Sequence, residues 1–439
     1  MPFQLDPTFA QDPAKHFDTL QIHAGLEPDP TTGAAALPIY ASAAFQFDSA
    51  PDAAAKFALS KPGNVYGRLT NTTTDAVAAR VAAIEGATGA VAVASGHAAE
   101  ILALTNIVGA GDHIVASDSL YGGTWNIFLH TLGDLGVETT FVENNDIDAF
   151  VAATKENTKL WYVETIGNPL VDVADVPAIV EAANSLKEPV PVFVDNTFAT
   201  PYLYRPADDG AAVVIESLTK WIGGHGATLG GAVIDTGKFD WKKTPGKFPT
   251  LIEPDPSYHG LVFADAAPAA PFSTRVLANK LRDFGPTLSP YAAQLIGIGI
   301  ETLSLRAQRH SDNALAVAKY LESHPKVSWV RYSGLENDPS HEVASRILHN
   351  GFGGVVVFGV KGGRDAGLKV VDNVKLFTHL ANVGDAKSLI IHPASTTHSQ
   401  LTPEQLKAAH LTEDLIRLSV GIENVDDIIA DLDQALENA

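Results

Sequence analysis

The 439-residue chain contains no cysteine, which excludes disulfides, thiolate metal centres and a cysteine nucleophile at the outset. Basic residues are scarce: 30 Lys and Arg stand against 51 Asp and Glu, a net charge of −21. That balance opposes binding to nucleic acid and to anionic membranes. It also draws attention to arginines placed in motifs, Arg68 and Arg417 among them, although most arginines on an acidic surface are solvated partners of nearby carboxylates. Long apolar runs are missing as well. No stretch approaches the roughly 18 residues of a membrane-spanning helix, and Met1-Pro2-Phe3-Gln4-Leu5-Asp6-Pro7 lacks the basic region and apolar core of a secretory signal. The expectation is a cytoplasmic protein of roughly two to three domains.

What is present is an alternation of helical and strand-like runs. Residues 1–74 are broken by Pro28, Pro30, Gly33, Pro38, Pro62 and Gly63 and read as an arm. Thr74 or Asp75 then suits the cap of a helix running to about Glu85. Apolar runs at Ala90–Ala94, His113–Ser117, Val137–Val142, Leu160–Glu164, Val190–Asp195, Val213–Ser217 and Gly231–Ile234 read as strands, with helices over Ala98–Val108 and Thr124–Leu135. This predicts an α/β fold with a mostly parallel sheet of about seven strands. Phe239–Pro271 has no clear period and reads as a long excursion that carries function or an interface. Beyond it the pattern is helical from Leu281 to Tyr320, with Arg306 and Arg309 on the polar side. Strands at Gly354–Val360 and Leu415–Val420 and helices at Ala366–Asn373 and Val425–Leu436 complete a smaller α/β domain. The division is 1–74, 75–280 and 281–439.

The chemistry gathers at predicted strand ends. Ser217-Leu218-Thr219-Lys220 follows an apolar strand and precedes Gly223-Gly224-His225-Gly226; a lysine there can trap an electrophile, and the two hydroxyls can hold a phosphate. Upstream, Val190–Val194 ends in Asp195, and ligands of open α/β sheets gather at the carboxyl ends of strands. A lone lysine after a strand is ordinarily a solvated charge and a lone aspartate a helix cap. Together they suit pyridoxal phosphate, whose aldehyde forms a Schiff base with a lysine and whose pyridine nitrogen pairs with a carboxylate. Ser95-Gly96-His97 at a strand-to-helix turn offers backbone N–H groups to an anion. Tyr121, before Gly122-Gly123, could stack on a flat ring or sit in an ordinary turn. Asn168 before Pro169 could donate to the cofactor's phenolic oxygen, or equally cap a proline turn. Tyr66-Gly67-Arg68 puts a phenol and a guanidinium in one turn, where the planar fork suits a phosphate. Arg417, in an apolar segment, would need an anionic partner such as a substrate α-carboxylate. The glycines of 223–231 match neither nucleotide-binding fingerprint. His392 and His398 do not match zinc spacing and read as loop-ordering or pocket groups; no metal is expected.

Taken together, these stretches resemble the Cys/Met-metabolism family of pyridoxal phosphate enzymes over nearly the whole chain, and within it the O-acetylhomoserine sulfhydrylases. The resemblance is carried by Tyr66–Asn71, Ser95–Ala99, Glu164–Pro169, Asp195-Asn196-Thr197, Ser217–Lys220 with Gly223–Gly226, and Arg417–Glu423. Tyr258-His259-Gly260-Leu261 within the excursion and His392–Gln400 carry the narrower likeness, since the shorter cystathionine synthases and γ-lyases generally lack the excursion. Departures from the family pattern are Thr72 where proline is usual, Val77-Ala78 where Leu-Glu is common, and Glu216 where a neutral residue is common.

The resemblance implies fold type I, like aspartate aminotransferase, in a homodimer or homotetramer with shared sites. It implies that Lys220 is the Schiff-base lysine, that Asp195 pairs with the pyridinium and that Tyr121 stacks on the ring. Gly96, His97, Ser217 and Thr219 would bind the phosphate, joined by Tyr66 and Arg68 of a neighbouring subunit. Arg417, Ser388, Asn168 and Tyr66 would contact the substrate, with Lys220, Tyr121 and Tyr66 catalytic. The implied reaction is γ-replacement on O-acetylhomoserine by sulfide or methanethiol in methionine biosynthesis, giving homocysteine or methionine and acetate. The alternative is a cystathionine γ-synthase or a methionine or cystathionine γ-lyase on the same scaffold.

Overall fold

The computed structural model describes residues 15–26, 28–29, 31–397 and 411–439. Seven strands form the larger sheet: β1 Gly89–Val93, β2 His113–Ser117, β3 Glu138–Val142, β4 Thr158–Glu164, β5 Val192–Asp195, β6 Val213–Glu216 and β7 Gly231–Asp235. Their order is β1-β7-β6-β5-β4-β2-β3. Strands β2 to β6 run parallel, and β7 is antiparallel to both β1 and β6. The expected mostly parallel seven-stranded sheet is therefore present. Its central strands are apolar on both faces because both are covered: Val192, Val194 and Val214 point to a core shared with Val77, Val81 and Ile84, while Phe193, Val213, Ile215 and Tyr162 point to one shared with Leu102, Phe128 and Phe272. The parallel strands end on one rim, where Glu164 lies opposite Asp195 and Asp195 opposite Ile215.

The helix expected from Thr74 or Asp75 begins earlier, at Thr72, because Asn71 caps it by accepting the Thr73 N–H at 2.9 Å. It ends at Glu85, where Gly86 adopts φ +69, a conformation that glycine enters at no steric cost. The Thr124–Leu135 expectation is also shifted. A helix spans Gly122–Asn126 and continues as a wider π turn over Ile127–Leu132. Among the described residues before Asn71, the N-terminal arm is irregular except for short helices at Phe17–His23 and Ala50–Phe57.

The excursion after β7 is not structureless. Short helical turns at Pro249–Ile252, Pro256–Tyr258 and Phe263–Ala266 place Leu251 and Phe263 in one core of the larger sheet, with Tyr258 packed against it. Trp241 packs on Phe248 and Phe272 at ring separations of 5.2 and 5.3 Å. Its aromatics thus serve as core, which explains an apolar composition without a period.

A second sheet, in the order β10-β11-β12-β9-β8, comprises β8 Val327–Arg331, β9 Val355–Val360, β10 Thr378–His379, β11 Leu389–Ile391 and β12 Leu415–Ser419. The helices Leu303–Ser323 and Val425–Glu437 cover it, sharing a core that includes Val317, Leu321, Ile428 and Leu432. Among the described residues no helix is long and apolar enough to cross a membrane.

Candidate active site

Asp195 ends β5 with its carboxylate partly buried and accepting the Thr197 N–H at 2.9 Å. Burial pushes its pKa up, and the Thr197 hydroxyl and N–H pull it back down. A cationic ring nitrogen facing it would hold it ionised. Behind it lie two fully buried carboxyls, Glu164 and Glu100. Both are pushed well above the usual range, first by burial and then by the neighbouring Asp195 charge. Glu164 accepts the Tyr121 N–H at 2.6 Å, which fixes the turn carrying that tyrosine.

A cradle that could hold a phosphate lies beside β1 and β6. Ser95 caps the Gly96–Ile107 helix by accepting the Ala98 N–H, and among the described residues no hydrogen bond occupies the N–H groups of Gly96 and His97. A Cβ at Gly96 would lie 2.8 Å from Ser217 Cβ, and one at Gly231 would lie 2.1 Å from the Ser95 carbonyl oxygen. Only glycines allow these backbones to close in this way. Ser217 is held by its N–H, which donates to the Thr197 hydroxyl at 2.8 Å. Thr219 is differently engaged from the expectation: its hydroxyl donates to the Gly230 carbonyl at 3.1 Å and accepts the Gly230 N–H at 3.0 Å. It would have to turn to donate to a phosphate.

Lys220 follows at once. Its Nζ donates to Asn382 Oδ1 at 2.6 Å, and its pKa is pulled down to about 8, first by burial and then by Arg417. Tyr121 stacks on the His97 ring, centroids 5.5 Å apart and 24° between planes, so the surface it offers to a flat ligand is shared with that imidazole. Burial, and secondarily Lys220, push the His97 pKa down. Arg417, on β12, is buried and forms no ion pair among the described residues. It donates to Asn168 Oδ1 at 3.1 Å and to the Asn382 carbonyl at 3.4 Å. Burial lowers its pKa to about 10. Because Arg417 takes Oδ1, the Asn168 amide keeps its NH₂ for another acceptor.

These residues fit pyridoxal phosphate. There is a turn with open backbone N–H groups that could take an anion, a carboxylate at a strand end, an amine of lowered basicity on Asn382, and a buried guanidinium with no carboxylate partner among the described residues.

Three expected contributors stand apart. The Ser388 hydroxyl donates to Glu423 at 3.0 Å and accepts the Gly421 N–H at 2.9 Å, while its own N–H goes to Glu423 at 2.7 Å. It braces the chain beyond Arg417 instead of facing it. Tyr66 is exposed, with the Arg68 guanidinium 5.6 Å from its ring centre. Arg68 donates to the Arg282 carbonyl, and its own carbonyl accepts the Thr287 hydroxyl at 2.9 Å. Among the described residues no hydrogen bond or ring contact joins Tyr66 or Arg68 to Lys220 or Asp195 of the same chain.

Asn382 is the residue that sequence reasoning missed. Its signal lay in the glycines after Lys220, since a Cβ at Gly226 would come 2.3 Å from Asp385 Oδ2 and 4.0 Å from Asn382 Nδ2. Such glycines announce that another segment approaches closely. His392 is buried, with its nitrogens on the Ser395 hydroxyl at 2.9 Å and the Glu413 carbonyl at 2.8 Å, a loop-ordering role. His398 lies outside the described residues, among which no cluster of metal ligands occurs. A cleft of about 310 Å³ lined by Phe17, Tyr202, Tyr204, Arg205, Asp208 and His349 contains none of the Lys220 rim.

Comparison with known proteins agrees with this geometry. The chain is 50% identical over 427 residues to a homocysteine synthase of Schizosaccharomyces pombe, spanning 97% of this chain and 99% of that protein. It is 48% identical over 431 residues to an O-acetyl-L-homoserine sulfhydrylase of Leptospira meyeri, covering 96% of each. A Campylobacter jejuni structure described as an O-acetylhomoserine (thiol)-lyase, which contains an N'-pyridoxyl-lysine-5'-monophosphate, superposes with a TM-score of 0.92 at 39% identity over 96% of this chain and 100% of that one. The metB protein of Corynebacterium glutamicum does so with a TM-score of 0.83 at 35% identity over 99% of both. With the profile of the Cys/Met metabolism PLP-dependent enzymes also matching residues 18–437, the chain belongs to that family and its cofactor is pyridoxal phosphate.

Proposed function

We propose that the protein catalyses γ-replacement on O-acetylhomoserine, exchanging the acetoxy group for sulfide to give homocysteine and acetate, or for methanethiol to give methionine. The observation that carries the reading is Lys220 and Arg417 meeting on Asn382, an amine of lowered basicity beside a buried guanidinium free of carboxylates. The near-half identity to a homocysteine synthase and an O-acetylhomoserine sulfhydrylase supports the choice of substrate.

Bound in this site, pyridoxal phosphate supplies an electron-accepting ring that stabilises negative charge on the carbon beside the substrate nitrogen. The chain's residues do the rest. Arg417 holds the α-carboxylate in its planar fork, with Asn168 and Asn382 fixing the guanidinium. Lys220, with its pKa pulled down to about 8, is matched to taking a proton from Cα and returning one at Cβ near neutral pH. Asp195 is assigned to the ring nitrogen, and Gly96, His97, Ser217 and Thr219 to the phosphate. Over the whole reaction the Cγ–O bond breaks with its electron pair leaving on acetate, and hydrosulfide supplies the pair of the new Cγ–S bond.

We assign the three parts 1–74, 75–280 and 281–439 as arm, cofactor-binding domain and C-terminal domain of a cytoplasmic homodimer or homotetramer. In that assembly Tyr66 and Arg68 complete the site of a second copy. Their exposure, and the exposed Tyr291, Leu295, Ile298 and Leu305, support this reading. Lys220→Ala tests the site: the protein should fold, lose the visible band of the lysine-bound cofactor and lose turnover. Near-normal turnover would remove Lys220 from the chemistry.

A further inference from the structure

Arg306 lies in the first turn of the Leu303–Ser323 helix, where an arginine is ordinarily a solvated charge, yet it is only 5% exposed. Its guanidinium forms no ion pair among the described residues, and burial is the cause that lowers its pKa, to about 10. Every hydrogen bond it makes ends on a neutral oxygen. Nη1 donates to the Trp221 carbonyl at 2.6 Å, and Nη2 to the Ile222 carbonyl at 3.2 Å and the Gly299 carbonyl at 2.5 Å. Nε donates to the Thr302 hydroxyl at 3.2 Å. Burying a cation without a counter-charge is unfavourable, so its retention calls for a reason beyond packing.

One of those carbonyls, Gly299, belongs to the last turn of the helix Pro290–Ile300, and the other two, Trp221 and Ile222, to the turn that leaves Lys220. Gly224 closes that turn at φ +68, and a Cβ there would fall 1.9 Å from Arg306 Nη1. On its other side, the turn is stitched to the loop bearing Asn382. The Ala386 N–H donates to the Gly224 carbonyl at 2.9 Å, and a Cβ at Gly384 would lie 2.6 Å from the Trp221 nitrogen. Asn382 in turn accepts the Lys220 ammonium. The same helix serves the Arg417 side, one and two turns further along the face. His310 meets the Val420 carbonyl through Nδ1 at 2.6 Å, and Asn313 donates to the Gly421 and Glu423 carbonyls at 2.9 and 3.0 Å.

We propose that Arg306 is a positioning residue for Lys220, its buried guanidinium fixing the Trp221–Gly224 turn so that the amine and Asn382 stay in register while His310 and Asn313 hold the Arg417 segment to the same helix. The inference rests on Lys220 being the cofactor lysine. Arg306→Met removes the grip, and Arg306→Lys keeps the charge without the fork. Thr302→Val loosens only the aim of the guanidinium and serves where the arginine variants fail to fold.

Two readouts are needed. The first is the kcat and KM of the cofactor-loaded enzyme. The second is the pH midpoint for reductive methylation of Lys220 in cofactor-free protein, followed by peptide mass spectrometry. In Arg306→Met, kcat should fall about 10²-fold, the scale of a misplacement near an ångström, with KM little changed. The Lys220 midpoint should move upward as the amine leaves its buried place, and added guanidinium ion should restore part of the kcat. Arg306→Lys should recover little of it, and Thr302→Val should show the same changes on a smaller scale with an unaltered melting temperature. A lowered melting temperature with unchanged kcat and an unchanged Lys220 midpoint in the folded variants would overturn the proposal. Retained turnover in Lys220→Ala would instead overturn the reading beneath it.

Discussion

Replacing Arg417 by methionine separates a group kept for substrate from one kept for the fold. A bidentate carboxylate pairing consists of two charge-assisted hydrogen bonds of about 1.5–3 kcal/mol each, so the change removes about 3–6 kcal/mol of substrate interaction. At about 1.4 kcal/mol per tenfold, kcat/KM for O-acetylhomoserine should fall about 10² to 10⁴-fold. Stability should move differently. Arg417 is buried with no ion pair among the described residues and gives the fold only the bonds to Asn168 and Asn382, the second at 3.4 Å. Exchanging such a charge for an apolar side chain is often neutral or stabilising by about 1–4 kcal/mol, while an orphaned Asn168 oxygen costs about 1–3 kcal/mol. The cofactor-free variant should therefore melt close to the parent. The Lys220 pKa should also rise, because the Arg417 charge is one of the two causes holding it down. Initial rates over a range of substrate concentration, paired with thermal melts of the cofactor-free protein, measure both effects. A kcat/KM within about tenfold of the parent would refute the substrate role, and a large fall in melting temperature would assign Arg417 to the fold.

Gly96→Ala should be destabilising by about 1–3 kcal/mol and should weaken cofactor binding, since its Cβ would meet Ser217 Cβ at 2.8 Å; an unchanged dissociation constant on titration with pyridoxal phosphate would remove Gly96 from the cradle. Lys220→Met bears on pH and stability together. With a folded pKa of about 8 against an ordinary 10.5, the unfolded chain holds a proton that the folded one has lost between those values, so parent stability rises with pH across that window. At neutral pH Lys220 costs the cofactor-free protein about 3 kcal/mol; the methionine variant should gain that much there, and the gain should vanish above about pH 10.5. Glu216→Gln addresses the departure from the family pattern. Burial pushes Glu85 up to about 7, against the hydrogen bond to Glu216 that pulls it down, while burial and then the neighbouring Glu85 push Glu216 well above its ordinary value. Raised carboxyl pKa values mean stability that is full in acid and lost as pH climbs through the folded values. Urea midpoints at about pH 6 and about pH 9 should differ in the parent and differ less in the variant, where Glu85 alone still titrates, and an unchanged difference would show that Glu216 contributes nothing to it.

The inner strands were legible because they are buried on both faces and so read as apolar runs, whereas Glu138–Val142 at the sheet edge is only partly buried; His113–Ser117 is found with the expected bounds, and the others differ at their ends. The helix starts were less legible. Asn71 and Gly122 open helices before the first periodic residue, and a cap depends on backbone geometry that composition does not express. At the site, Lys220 and Arg417 stood out because a lysine at a strand end and an arginine within an apolar run are both unusual. Asn382 did not stand out, as it lies in a polar loop and acts through one amide oxygen and one carbonyl. Ser388 sits six residues further on and is absorbed by Glu423. Arg306 was read onto the polar face because pattern reasoning counts charge, whereas its partners are backbone carbonyls that no side-chain pattern reveals.

The account is tested most directly by incubating the purified protein with pyridoxal phosphate, O-acetylhomoserine and sulfide, and measuring homocysteine and acetate together. It predicts equal amounts of the two, with homocysteine formed only when sulfide is present. Ammonia and a 2-keto acid released at the same rate with or without sulfide would make the protein a γ-lyase and contradict the proposed replacement.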